Sequence, residues 1–249
     1  MDIDGKIATA ATWIRDSKHT TVFTGAGISV ESGIPPFRGE NGLWNKYDPQ
    51  TLDIDYFHAH PQASWIIIKE VFYDFFGQAH PNDAHLRIAA LEKHGYVKTI
   101  ITQNIDNLHQ EAGSKMVHEF HGTAQFLRCS MCQTAFEAKT ISLTALPPRC
   151  PQCQGILKPD FVFFGEGIPK RVNVLSFYEA QVADVFLVIG TTGEVMPACE
   201  IPFQAKQRGV RVIEINPHPS RFTNNATDIF LQGKATEMMN RLYNAIILK

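Results

Sequence analysis

The 249-residue chain lacks several features that would mark particular classes of protein. No apolar run approaches membrane-spanning length, and residues 1–19 have no apolar signal-peptide region. No internal repeat or low-complexity tract is present. The formal net charge of −2 provides no basic field for nucleic acid. We therefore expect a cytoplasmic, globular protein that has no membrane partner and no direct nucleic-acid partner.

Cysteine is scarce, with five residues, four of them in two tight pairs. An odd count in tight pairs suits a reduced compartment and a metal better than a disulfide framework. Cys129-x-x-Cys132 and Cys150-x-x-Cys153 are separated by seventeen residues and predict two zinc knuckles that together form a Cys₄ site. Four thiolates leave no position for water, so this zinc would be structural. The alternative is four unligated cysteines in a loop; Cys199 is interpreted as a small core residue.

Strand and helix patterns alternate along most of the chain. Strands are predicted at 20–24, 97–102, 117–120, 161–164, 185–189, 210–215 and 229–231, and helices at 3–14, 84–94, 172–182, 199–208 and 236–247. This alternation predicts an α/β fold with a doubly wound, mainly parallel, Rossmann-like sheet. The predicted divisions are a Rossmann-like domain (1–40, 78–123 and 158–249), a helical insertion (41–77) and a small zinc-binding module (124–157).

The strand predicted at 20–24 breaks at once into a glycine-rich turn at 25–27. A strand that ends in glycines is typical of dinucleotide-binding folds, where the backbone approaches a pyrophosphate. The match to G-x-G-x-x-G is incomplete because Val30 takes the third glycine position, so a plain strand-to-helix turn is an equal alternative. Helix-breaking residues, an aromatic and a cation follow at 33–39, which predicts a loop that folds over a ligand.

Polar residues follow four of the predicted strands, at 25–27, 103–104, 190–192 and 216. Ligands bind outside the carboxyl ends of such strands, so we expect these residues to converge on one crevice. His121 is the best candidate acid or base, because it follows a predicted strand and precedes the zinc module; a structural histidine is the equal alternative. Asn104 and Asp106 have the alternative role of helix caps. The other histidines include His85 and His109, and most of this group is assigned to surfaces or caps.

The motifs taken together resemble the sirtuins, a family of NAD-dependent protein lysine deacylases. In chain order they are GAGISVESGIPPFRG (25–39), GLW (42–44), TQNIDNLH (102–109), HG (121–122), the two C-x-x-C pairs, KPDFVFFGE (158–166), GTT (190–192) and IN (215–216). The resemblance implies an NAD-binding domain, a structural zinc module and an active-site tunnel between them. NAD and zinc would be the cofactors, acyl-lysine proteins or peptides the partners, and a monomer is compatible with the sequence.

The resemblance also implies roles for individual residues. Cofactor binding falls to Gly25, Ala26, Gly27, Ser29, Phe37, Arg38, Gln103, Asn104, Ile105, Asp106, Gly190, Thr191, Thr192, Asn216 and Ala235. The substrate backbone would pair, as an added strand, with Val162, Phe164, Gly165, Glu166 and Val195. Catalysis would rest on His121 as general base, with Asn104 beside it. The products would be deacylated lysine, nicotinamide and O-acyl-ADP-ribose.

The chain departs from the family pattern in three places. The common P-D-F-R is Pro-Pro-Phe-Arg at 35–38, and the Ser-Leu after GT is Thr-Gly at 192–193. The Tyr and Arg that bind the acyl carboxylate in the desuccinylating branch correspond to Ile68 and Val71, so we expect neutral acyl groups, acetyl or longer apolar chains. The alternatives to deacylation are ADP-ribosyl transfer or NAD hydrolysis, and a non-catalytic NAD- or zinc-binding module.

Overall fold

The computed structural model describes residues 1–37, 42–75 and 79–248. The strands are β1 (Thr20–Thr24), β2 (Val97–Thr102), β3 (Val117–Glu119), β4 (Gly122–Cys129), β5 (Ala135–Glu137), β6 (Leu157–Phe161), β7 (Val185–Ile189), β8 (Arg211–Asn216) and β9 (Ile229–Gln232). The α-helices are α1 (Ile3–Asp16), α2 (Ile54–Ala59), α3 (Pro61–Ile68), α4 (Asp83–Lys93), α5 (Leu108–Glu111), α6 (Lys170–Val182), α7 (Glu200–Gln207) and α8 (Ala235–Ile247).

Shorter helices complete the secondary structure. A π-helix (Lys69–Phe75) continues α3, and 3₁₀ helices lie at Ala26–Ser32, Leu43–Asn45, Pro49–Leu52 and Ala138–Thr140. Within the described ranges, no helix is long and apolar enough to cross a membrane.

The main sheet has six parallel strands in the order β3-β2-β1-β7-β8-β9. Both of its faces are covered: α1, α4 and α8 pack on one face, and α6 and α7 pack on the other. The central strands β1 and β7 are buried along their whole length because successive side chains enter the two cores alternately. Val22 enters the first core and Phe23 the second. The predicted doubly wound parallel sheet is confirmed.

A second, antiparallel sheet has the order β5-β4-β6 and packs against the helical insertion. Trp65 donates its indole N–H to the carbonyl of Leu157 at 2.8 Å, and the Tyr73 hydroxyl donates to the carbonyl of Ala124 at 3.1 Å. These two side chains therefore attach the helices at 61–75 to both β4 and β6.

The strand predicted at 161–164 is wrong in position and in sheet. The chain instead forms β6 at Leu157–Phe161, which pairs antiparallel with β4 rather than with the main sheet. The aromatic run misled the prediction because Phe161 and Phe163 are buried beside the helical insertion, with their rings stacked 5.1 Å apart. The predicted domain boundaries stay a prediction.

The glycines that follow β1 and β7 pack backbone against backbone. Gly27 donates its N–H to the carbonyl of Gly190 at 2.8 Å, and a Cβ on Gly27 would lie 2.7 Å from the Gly190 Cα. Gly190 has a φ of 65°, and a Cβ there would lie 2.3 Å from the amide nitrogen of Ile28. This contact is a structural reason for the glycines, in addition to the ligand approach that the sequence suggested.

We expect Gly190→Ala to lower the free energy of unfolding more than Gly209→Ala. Both glycines have a positive φ, so each variant loses about 1–2 kcal/mol of backbone conformational energy. A Cβ on Gly209 meets nothing within 4 Å, whereas one on Gly190 collides with backbone and adds a further loss of ~1–3 kcal/mol. Urea unfolding of the two variants measures the difference. Equal losses would contradict the close-packing explanation.

Candidate active site

One cavity of about 910 Å³ is lined by residues from both sheets and from the helical insertion. The sequence-predicted residues that line it are Gly25, Ala26, Gly27, Phe37, Gln103, Asn104, Ile105, His121, Val162, Phe164, Gly165, Glu166, Gly190, Thr191, Thr192, Val195, Asn216 and Ala235. The polar ends of β1, β2, β7 and β8 thus meet at one crevice. Ser29 and Asp106 do not line this cavity, and Arg38 lies outside the described residues.

His121 lies in the cavity wall with a fixed imidazole orientation. Its Nδ1 is 3.1 Å from the carbonyl oxygen of Gln103. A carbonyl oxygen only accepts hydrogen bonds, so Nδ1 carries the hydrogen and Nε2 keeps its lone pair. Burial lowers the pKa of His121, and the hydrogen bond to Gln103 offsets this only in part. The imidazole is therefore a neutral proton acceptor near pH 7.

The backbone around His121 is held by the second sheet. The carbonyl of His121 accepts a hydrogen bond from the amide of Val162 at 2.8 Å. Gly122 has a φ of 77°, and a Cβ there would lie 2.3 Å from the carbonyl oxygen of Asp160. Only glycine allows β4 to start so close to β6, which explains the HG pair.

A buried hydrogen-bonded network lies next to the cavity. The Ser29 hydroxyl donates to Asp106 Oδ2 at 2.7 Å and accepts from Asn104 Nδ2 at 3.2 Å. Asp106 Oδ1 also accepts from the amide of Leu108 at 3.0 Å. Asp106 therefore caps α5 with one carboxylate oxygen and binds Ser29 with the other. Burial raises the pKa of Asp106 in spite of these hydrogen bonds. Asn104 is the member of this network that reaches the cavity wall.

Neither His85 nor His109 lies on the surface, and His85 has the predicted role of a cap. Both are buried, with ring centroids 5.0 Å apart, although His85 also belongs to the capping box of α4. Burial lowers the pKa of His85 to about 4 and lowers that of His109 well below its ordinary value. The signal for His85 was its helical spacing from Ile88 on the buried face of α4. No comparable periodicity marks His109, which contacts the Thr24 hydroxyl at 2.9 Å.

An aromatic wall forms another part of the cavity. Sequence reasoning missed four of its aromatic residues, Trp44, Phe72, Phe161 and Phe163, and the neighbouring Leu52. The ring of Phe37 lies 5.4 Å from that of Trp44, and the ring of Phe72 lies 5.1 Å from that of Phe161. This wall is apolar and can hold a neutral acyl chain.

Ile68 and Val71, which the sequence placed at the acyl carboxylate position, are buried but do not line the cavity. Phe72 lines it instead, because the chain from Lys69 is a π-helix whose wider turn changes the direction of the following side chains. Lys69 is paired with Asp74, with Nζ 2.6 Å from Oδ2, and does not line the cavity.

The predicted pairing of Phe164 with a substrate backbone is not available. Its amide donates to the carbonyl of Leu52 at 2.9 Å, and its carbonyl accepts from the amide of Ile54 at 3.0 Å. Its partly exposed ring lies 6.0 Å from that of Trp44. Phe164 therefore contributes its side chain to the cavity while its backbone joins the helical insertion.

The four paired cysteines fit a tetrahedral zinc ion. Their sulfur atoms all lie within 4.8 Å of one another, with Cys129 Sγ 3.4 Å from Cys153 Sγ and Cys132 Sγ 3.7 Å from Cys150 Sγ. Zinc–sulfur bonds of about 2.3 Å require sulfur atoms about 3.8 Å apart, close to these distances. Such a site is closed, so a zinc ion bound there would hold the turn after β4 against the turn before β6. Cys199 is buried in the second core, away from this cluster.

The Sir2 family model matches residues 25–197 of this chain. The chain belongs to the Sir2 family. The NAD-dependent protein deacylase 2 of Pyrobaculum aerophilum is 44% identical over 94% of this chain and 93% of its own length. The NAD-dependent protein deacylase of Pyrococcus furiosus is also 44% identical, over 92% of this chain and 94% of its own. These relatives and the family model confirm the predicted sirtuin resemblance.

Solved structures agree with this Sir2 assignment. A Sir2 homolog–NAD complex has a TM-score of 0.88 at 40% identity, covering 96% of this chain and 93% of that chain. A Sir2–p53 peptide–NAD⁺ complex also has a TM-score of 0.88, at 32% identity, covering 96% and 97%. In this Sir2 protein, the cavity has the size of a cofactor pocket, typically about 300–1,000 Å³, and it combines backbone and amide groups with an apolar wall. Its residues fit NAD.

We expect this Sir2 protein to depend on zinc for the second sheet and, through that sheet, for activity. Cys132→Ser should lose zinc, because three thiolates bind the ion more weakly than four. A loss of about 2 kcal/mol would lower Tm by roughly 4–8 °C for a domain of this size. Metal analysis and thermal unfolding measure both effects, and Cys199→Ala is the matched control that should keep its zinc. Full activity in zinc-free protein would contradict the proposed coupling.

Proposed function

We propose that His121 and Asn104 are the catalytic residues of this chain, which is an NAD-dependent protein lysine deacylase. It transfers the acyl group to ADP-ribose and releases deacylated lysine, nicotinamide and O-acyl-ADP-ribose. The observation that carries the proposal is the position of His121: it shares one cavity with the polar strand ends and with the aromatic wall. A proton acceptor thus lies within a single pocket that offers one region to a cofactor and another to an acyl chain.

The cofactor is held in this proposal by the polar strand ends. The proposed NAD contacts are Gly25, Ala26, Gly27, Phe37, Gln103, Asn104, Ile105, Gly190, Thr191, Thr192, Asn216 and Ala235, with Ser29 and Asp106 supporting them from beside the cavity. Bound NAD supplies an electrophilic ribose carbon and nicotinamide as its leaving group. Asn104, held by Ser29, orients the ribose, and His121 accepts a proton from a ribose hydroxyl at Nε2.

The acyl-lysine substrate is held by the segment after β6 and by the segment after β7. Gly165, the Glu166 carbonyl and the Val195 amide would pair with its backbone, because the Glu166 amide and the Val195 carbonyl already have partners within the chain. Val162 and the Phe164 ring would contact the substrate from the cavity wall. The aromatic wall excludes water around the acyl group, which protects the activated sugar from hydrolysis. This arrangement favours deacylation over NAD hydrolysis.

We also propose that the protein is cytoplasmic and is active as a monomer. A Cys₄ cluster that fits zinc requires reduced thiols, which supports the cytoplasm. One chain provides the described cavity lining from both sheets, which supports an active monomer.

We expect His121→Ala to lower turnover of an acetyl-lysine peptide by about 10²–10⁴-fold, because the general base is removed. His118→Ala is the matched control, since His118 lies on β3 and does not line the cavity. Mass spectrometry should detect O-acyl-ADP-ribose from the wild type rather than ADP-ribosylated protein. Unchanged turnover by a folded, zinc-loaded His121→Ala protein would reject the assignment.

The pH profile provides a second measurement on His121. Burial places its pKa below the ordinary 6.5, so the neutral base persists as the pH falls through 6.5. We expect kcat/KM for the acyl peptide to fall only below this pH, as the imidazole becomes protonated. An acid limb centred above pH 6.5 would contradict the buried environment.

We expect acetyl-lysine to be a better substrate than succinyl-lysine, with kcat/KM at least about tenfold higher. Burying a carboxylate against the aromatic wall without a cation is costly. Among the described residues, no lysine or arginine lines the wall near Phe72, and Lys69 is already paired with Asp74. A panel of acetyl, butyryl, myristoyl and succinyl peptides, assayed with and without NAD, measures the preference. Equal or faster removal of succinyl would show that the wall is not the specificity element.

A further inference from the structure

A fully buried carboxylate lies behind the cavity at the end of β8. Glu214 has no solvent exposure and is surrounded by four hydrogen-bond donors. Its Oε1 accepts from Asn216 Nδ2 at 2.9 Å and from the Ser220 hydroxyl at 2.5 Å. Its Oε2 accepts from the hydroxyls of Thr223 at 2.9 Å and Thr227 at 2.7 Å. A carboxylate has only acceptor oxygens, so this set of donors is chemically matched to it.

We propose that Glu214 is a positioning residue for cofactor binding, which acts by fixing the amide of Asn216 and the segment 217–227. The inference rests on the proposed function, in which this cavity takes NAD. Glu214 touches no ligand in this proposal. It determines which side-chain atom of Asn216 faces the cavity.

The orientation of the Asn216 amide follows from its two neighbours. Both contacts of Nδ2 are acceptors: Glu214 Oε1 at 2.9 Å and the carbonyl oxygen of Thr191 at 3.1 Å. A flipped amide would place Oδ1 against these two acceptors and lose both hydrogen bonds. Asn216 lines the cavity, and its Oδ1 is the polar atom that these two bonds do not use. Asn216 therefore offers an acceptor, which is suited to a ligand hydroxyl such as those of the adenosine ribose.

Glu214 also holds the segment that follows β8. Its carboxylate accepts hydrogen bonds from Ser220, Thr223 and Thr227. Residues 217–220 of the same segment line the cavity. The same segment contacts the turn after β7, because the amide of Arg221 donates to the carbonyl of Thr192 at 3.0 Å. Loss of the carboxylate would thus loosen residues 217–220, the turn after β7 and the Asn216 amide.

Gly193, where the chain departs from the family's leucine, belongs to this contact. It has a φ of 74°, and a Cβ there would lie 2.8 Å from the ring of Phe222. The buried Phe222 ring occupies the space that a side chain at 193 would need. The segment 217–227 therefore contacts the turn after β7 through side-chain packing as well as through hydrogen bonds.

The test is Glu214→Gln, which keeps the size of the side chain but removes its negative charge and turns one acceptor oxygen into an NH₂ donor, so the set of four donors around it must rearrange. We expect KM for NAD to rise about tenfold, the effect of one well-placed hydrogen bond. We expect kcat at saturating NAD and KM for the acyl peptide to stay within about twofold, since the His121 region is unaltered. Calorimetry with ADP-ribose should show the same loss of affinity.

A double-mutant cycle with Asn216→Ala tests whether Glu214 acts through Asn216. In the Asn216→Ala background, Glu214→Gln should weaken ADP-ribose binding by a smaller factor than in the wild type, and the remaining effect is the part that Glu214 exerts through the segment 217–227. Glu179→Gln is the matched control for a buried carboxylate: Glu179 accepts from Thr21 at 2.8 Å, contacts His19 at 2.7 Å and lies outside the cavity lining. It should leave KM for NAD unchanged.

Three results would overturn the inference: an unchanged KM for NAD in Glu214→Gln, full additivity with Asn216→Ala, or an equal rise in KM in Glu179→Gln. If the wild type binds NAD and deacylates, these results leave the proposed function intact. A wild type that binds no NAD would overturn both. If Glu214→Gln does not fold, the variant Asn216→Asp provides the test. Its carboxylate would be repelled by Glu214 and by the Thr191 carbonyl oxygen, so KM for NAD should rise. A wild-type KM for NAD in this variant would refute the inference.

Discussion

The backbone contact between the turn after β1 and the turn after β7 is the constraint on which the site depends. Gly27 donates directly to Gly190, and neither position has room for a Cβ. The two central strands of the parallel sheet therefore end side by side, and the chain winds away from them in opposite directions along the sheet. The crevice that opens there is where open α/β sheets bind ligands. The remaining site residues lie around this contact.

Most of the fold was predictable because its strands and helices have strong local patterns. The strands β1, β2 and β7 match their predicted bounds, since a run buried on both faces is continuously apolar or β-branched. The strand prediction for 161–164 was wrong because composition alone does not distinguish its two possible structures. An aromatic run can form a parallel strand, or it can form a segment that connects β6 to the helical insertion. Its pairing depends on distant residues, Gly122 on β4 and Leu52 in the helical insertion, and local sequence does not contain that information.

The candidate site was predictable as far as its motifs extend, and its supporting residues were not. The cavity-lining positions of the glycine turns, Gln103-Asn104 and Asn216 follow from their places at strand ends. The burial of His109 depends on a contact across the fold, with Thr24, which is 85 positions away. The partners of Glu214 lie within 13 positions of it, but they belong to an irregular segment whose conformation has no periodic sequence pattern. Phe72 was missed for another reason: a π-helix changes the side-chain direction within a segment whose composition favours an ordinary helix.

His121 connects the two sheets, and this links the structural cysteine site to the proposed catalytic residue. Its imidazole is oriented by the Gln103 carbonyl at the end of β2, while its own carbonyl is held by Val162 at the end of β6. The position of β6 depends on the turns that the cysteines hold together and on Trp65, which binds the Leu157 carbonyl. A shift of the second sheet would therefore move the backbone of His121 relative to the Gln103 carbonyl, which fixes its tautomer. Catalytic geometry of this kind is sensitive to displacements of about 1 Å. If His121 is the base, as proposed, a zinc ion in the closed cysteine site would support catalysis by keeping the two sheets in register around it.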